Sequence, residues 1–150
     1  MAGIWYFLSC LAVAVAGVSL ATQQVLNSNL RAEIGSPWWA GFVSYALGMI
    51  VMLVMAVIMP GQRLSLSAIG SSSWISWTGG LLGAIFIGTA ILMVPRLGAA
   101  TTLALVVVGQ MIGSVVLDHF GLFGLPQHPV SLVRLAGTAL LIAGVVFVRM

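Results

Sequence analysis

The chain has 150 residues, of which 61% are hydrophobic and 5% charged: five Arg, one Glu and one Asp, for a net charge of +3. A soluble domain carries about 25% charged residues, so these few cannot build a water-facing surface around a core, and the outer surface must meet lipid. Nucleic-acid binding is excluded on the same residues. It needs basic side chains clustered on one face, whereas Arg31, Arg63, Arg96, Arg134 and Arg149 lie at separate segment ends, where membrane anchors sit.

A spanning helix needs about 20 mostly apolar residues, and five segments qualify. Together they predict an all-α integral membrane fold, a single five-helix transmembrane domain over residues 1–150. The first helix is expected from Ile4 to Asn29. No Lys or Arg precedes Arg31, so the basic start of a secretory signal is missing and the segment reads as a retained helix. Cys10 stands alone in it and cannot form an internal disulfide. The second helix is expected from Trp38 to Met59, with Pro37 as a favourable first-turn residue and Pro60-Gly61 as its stop. The third runs from Trp74 to Val94, entered from Ser71, Ser72 and Ser73 as N-cap candidates. Only Pro95-Arg96-Leu97-Gly98 separates it from the fourth, Ala99 to Leu117, which points to a tight antiparallel hairpin. The fifth runs from Val130 to Val148. Trp5, Trp38, Trp39, Trp74 and Trp77 all fall in first turns, at headgroup depth.

Five spans put the termini on opposite sides. Arg63, Arg134 and the terminal amine share one side; Arg31, Arg96 and Arg149 share the other. Orientation is normally set by an excess of Lys and Arg in cytoplasmic loops, and no decisive excess exists here. Either the protein inserts both ways and pairs with an inverted copy of itself, or a partner or one dominant Arg fixes it. Transporters are often built from two inverted halves with the site at their interface. An antiparallel homodimer would supply ten helices from one gene.

Polar residues inside a bilayer are costly and are functional candidates by default. Ser19, Gln23 and Asn27 share a face of the first helix, with Gln24, Ser28 and Asn29 widening its polar end. Gly41, Ser44, Tyr45 and Gly48 form a small-polar stripe on the second. Gln110, Ser114 and Asp118 repeat the i, i+4, i+8 spacing on the fourth. Gln23, Asn27 and Gln110, with Ser44, Tyr45 and Ser114, are therefore the candidate substrate-pathway residues. For Ser44 and Ser114 the competing reading is a bond to a neighbouring helix or to their own backbone. Asp118 and His119 are candidates for proton or ion handling, against the alternative of an interfacial Asp solvated by headgroup water. Gly79 with Gly83, and Gly109 with Gly113, are GxxxG pairs suited to close helix packing.

Other chemistry is missing from the sequence. There is no HExxH, P-loop, GxSxG or metal-spaced His/Cys cluster, so no enzyme activity, cofactor or metal is expected. His128 reads as a loop residue beside Pro126 and Pro129. Glu33, the only Glu, follows Arg31 outside the apolar run, where the two can pair or be hydrated. No carboxylate lies within the first apolar run to exchange protons for a cation, unlike small multidrug exporters that carry a membrane-embedded Glu there.

The chain resembles the YdcZ-like branch of the drug/metabolite transporter superfamily. The matching run starts at Gln23-Gln24-Val25-Leu26-Asn27 and continues through Leu30, Gly35-Ser36-Pro37 and Ser44 to Gly48. It resumes at Trp77-Thr78-Gly79-Gly80 with Gly83-Ala84, then Val94-Pro95-Arg96-Leu97-Gly98. It ends with Gly109-Gln110, Asp118-His119-Phe120-Gly121, and Arg134 to Gly137 with Gly144. The resemblance implies half of a ten-helix transporter, working with an inverted partner in a bacterial inner membrane. The expected function is movement of small polar metabolites by alternating access, with the lipid bilayer, a small-molecule solute and a second inverted copy as partners. A multidrug-type exporter is the alternative within transport; it predicts a wide aromatic pocket, for which only Tyr45 and Phe86 are available mid-span. A non-transporting small subunit of a larger complex is the alternative outside it.

Overall fold

The computed structural model describes residues 2–59, 61 and 65–150. Pro60 and Arg63, read above as a helix stop and as one of the five cations, lie outside the described residues. Among the described residues the secondary structure is helical throughout, and five helices are long and apolar enough to cross a membrane.

The first helix, α1 (Ala2–Ile34), runs past the expected end at Asn29. Polar residues do not stop a helix; a residue that leaves helical geometry does. That residue is Gly35, whose φ of 71° is left-handed and whose N–H closes on the Arg31 carbonyl at 2.9 Å, the usual glycine exit. Ser36 then caps α2 (Pro37–Ile58), its Oγ accepting the Trp39 N–H, with Pro37 in the first turn. The two helices form a hairpin with almost no loop.

The serines before the third span correct an expectation. Leu66–Ser71 forms a short helix, α3, and Trp74–Thr78 a 3-10 turn that leads into α4 (Gly79–Leu97). Ser73 precedes that turn without a side-chain cap bond. Ser72 instead donates its Oγ hydrogen to the Ile69 carbonyl and accepts from Trp77 Nε1, both at 2.8 Å. The indole N–H is satisfied locally, as a buried or interfacial Trp requires. Nor does α4 stop at Val94; it continues through Pro95 to Leu97.

The connection to α5 (Ala99–Phe120) is thus reduced to Gly98 at φ 81°. That helix ends with Phe120, three residues beyond the expected Leu117, at the left-handed Gly121. A 3-10 turn at Leu122–Gly124 and an extended stretch follow. Ser131 caps α6 (Leu132–Arg149) by accepting the Arg134 N–H, so this helix starts after Val130.

Two compact units result, Met1–Pro95 and Arg96–Met150. In the first, Ala40, Ile87 and Ile91 form a buried cluster with Leu30 and Phe86 packed against it. Small residues allow the approach of α2 to α4: a methyl on Gly41 would meet Ile91 Cδ1 at 3.6 Å, and one on Gly83 would stand 2.8 Å from Tyr45 Oη. Nothing lies within 4 Å of a Cβ built on Gly79, Gly109 or Gly113. In the second unit α5 packs along α6. Most large apolar side chains, among them Val57, Leu132 and Phe147, point outward, which is the ordinary surface of a protein solvated by lipid.

Candidate solute pathway

Within the first unit, α1 and α2 flank an open cavity of about 570 Å³, with Ser19, Thr22 and Gln23 exposed along it. Ser19, Gln23 and Asn27 reach it because residues four apart lie on one helix face, and Thr22 joins them. From α2, Ser44 and Gly48 face the same space, between Val43, Leu47 and Val51. Gln23 Nε2 donates to Ser44 Oγ at 3.4 Å, near the long limit of a hydrogen bond. Thr22 Oγ1 donates to the Val18 carbonyl at 2.9 Å, so its lone pairs remain available as acceptors. No ionisable or aromatic side chain lines this cavity among the described residues.

Three of the six expected pathway residues, Gln23, Asn27 and Ser44, therefore share one cavity. Tyr45 does not line it; its hydroxyl lies against Gly83 on α4. Ser114 lines a different cavity of about 440 Å³ between α5 and α6, and its hydroxyl donates to the Met111 carbonyl of its own helix at 3.0 Å. Gln110 is exposed on α5 and lines neither space.

Asp118 also lines the α5–α6 cavity, where its Oδ2 pairs with Arg134 Nη1 at 3.2 Å. Its neighbour His119 is tied into the turn: Nδ1 accepts the Val130 N–H at 3.2 Å, and the His119 carbonyl accepts from Gln127 Nε2 at 3.0 Å. The Asp118 carbonyl accepts the His128 N–H at 2.8 Å. His128 thus supports the turn through its backbone.

Two features were missed from sequence. Gln24 is fully buried, and neither of its amide atoms has a hydrogen-bond partner in the protein; Asn27 Nδ2 is likewise unpartnered. Each such atom costs about 1–3 kcal/mol when desolvated. The signal was present, since Gln24, Asn27 and Arg31 are spaced i, i+3, i+7 and share a face. The second is Arg31 itself. In place of an Arg31–Glu33 pair, its Nη1 donates to the Ile91 carbonyl on α4 at 2.9 Å. Among the described residues no three His, Cys, Asp or Glu side chains gather to hold a metal.

Comparison with known proteins bears on the whole chain. A family profile described as "Putative inner membrane exporter, YdcZ" matches residues 8–147. The inner membrane protein YdcZ of Escherichia coli (strain K12) is 27% identical over 129 residues, covering 86% of each chain. No solved structure matches. With nearly its full length inside the family profile and five apolar helices in its fold, this chain belongs to the YdcZ family of multi-pass bacterial inner-membrane proteins.

Proposed function

We propose that the protein is a transporter of small, polar, uncharged metabolites, working by alternating access as an antiparallel homodimer. The observation that carries this is the α1–α2 cavity, where Ser19, Gln23, Asn27 and Ser44 present hydroxyl and amide groups between aliphatic walls. Such groups exchange hydrogen bonds with a solute as readily as with water. They do not repay the cost of desolvating a full charge, which favours neutral cargo. The description of the family as an exporter supports transport and suggests an outward direction.

The absence of an aromatic lining weighs against a multidrug-type pocket. The two-against-three split of arginines supports insertion in both orientations, and with it an inverted pair that completes the ten-helix plan of larger transporters. In this scheme Gln110, exposed on α5, is a second point of solute contact apart from the α1–α2 cavity, and the open glycines Gly79, Gly109 and Gly113 serve contacts in the dimer or in the alternate state.

The test is uptake of a panel of neutral and charged solutes into liposomes containing the purified protein. Neutral polar solutes are expected to be moved by the wild type. Gln23→Ala and Gln110→Ala are each expected to reduce that flux at least tenfold while the protein still folds and dimerises. Unchanged flux in both variants would remove the amides from the pathway.

A further inference from the structure

We propose that Arg31 acts as a cap, supplied from α1, for the hydrogen-bond donor that Pro95 removes from the α4 ladder. The sequence places a proline inside that helix. Proline has no N–H, so the carbonyl four residues earlier loses its helical donor. That carbonyl belongs to Ile91, and it is the oxygen to which Arg31 Nη1 donates at 2.9 Å.

The surroundings make the bond matter. Ile91 is fully buried, packed with Ala40 and Ile87. Inside a bilayer no water stands in for a missing donor, so an unmatched Ile91 carbonyl would remain so. A guanidinium suits the task because it carries five N–H groups. One can enter the core while the others stay toward the membrane surface, the aliphatic stem covering the distance. Arg31 also lies in the last turn of α1, where positive charge is favoured by the helix dipole.

The bond joins α1 to α4 across 60 residues of sequence, beside Leu30, which both lines the cavity and packs on the buried cluster. Arg31 is thus a positioning residue, fixing the end of α1 to the proline-containing end of α4. This cap stands on its own geometry, whether or not the cavity carries a solute.

A double-mutant cycle isolates the pairing. Full-length wild type, Arg31→Met, Pro95→Ala and the double variant are purified in one detergent and melted. Arg31→Met deletes the donors and keeps an apolar stem; Pro95→Ala brings a backbone N–H that can take the Ile91 carbonyl. Arg31→Met alone is expected to lower Tm by about 5 °C, but by less than about 2 °C when Pro95→Ala is present. If Arg31→Met alone yields no folded protein, recovery of monodisperse protein in the double variant is the expected result. The same change in Tm in both backgrounds, zero included, or no recovery in the double, would overturn the proposal.

Discussion

At Gln24 a side chain with two donor hydrogens and an acceptor oxygen is held at 0% exposure with none of them bonded within the protein. Natural sequences lose stability at such points and retain them where function needs a polar group. If the cost is real, replacing the amide by an apolar side chain of similar size should recover it. Gln24→Leu is therefore predicted to raise Tm by about 2–6 °C, from roughly 1–3 kcal/mol of relieved desolvation. A clear fall in Tm on the same substitution would mean that the amide is bonded in the folded protein. Gln23, one residue earlier, turns to the cavity and to Ser44. Two adjacent amides thus have different surroundings, because successive helical residues point about 100° apart.

Within the elements, the helix pairs α1–α2, α1–α4 and α5–α6 each carry a polar tie. In the α5–α6 hairpin the tie is Asp118 to Arg134, 31% and 40% exposed respectively, backed by the turn bonds of His119 and His128. Opposite charges at 3.2 Å tolerate exchange better than the loss of one partner. Asp118→Arg is predicted to cut the yield of folded protein severalfold, and adding Arg134→Asp to restore most of it, measured as monodisperse protein after detergent extraction. No restoration would mean that folding does not depend on the Asp118–Arg134 pair itself.

The helices themselves were legible because apolar runs of spanning length admit few alternatives, and because Pro37 and the Pro95 to Gly98 stretch mark turns by their chemistry; the stop at Gly121 was not read. The polar face of Ser19, Gln23 and Asn27 was legible for the same reason of periodicity. What was not legible depends on a partner. The span of α1 beyond Asn29 is ended by one glycine conformation, with no change of polarity to announce it. The separation of Tyr45 from Ser44, its immediate neighbour, follows from which helix each side meets. The link of Arg31 to Ile91 joins residues whose proximity no local pattern encodes.

Taken as a whole, the described residues are almost entirely membrane helix, and the five arginines of the sequence split two against three between the two sides, with no decisive excess to set orientation. Four of those five, all but Arg63, are placed in the structure at or near helix ends, and Arg31 and Arg134 are each bonded within their own unit. Insertion reads loop charge before such bonds form, so the even count keeps its force for topology. In the proposed transporter this five-helix chain supplies one half, and a second copy of itself in the opposite sense supplies the other.

The inverted pairing is tested most directly by placing a single cysteine after Met150, with Cys10 replaced, and treating intact cells with a membrane-impermeant thiol reagent. An antiparallel homodimer predicts that about half of the chains are labelled, and that the rest react only after the membrane is opened. Complete labelling, or none until the membrane is opened, would mean one fixed orientation and would contradict the antiparallel homodimer.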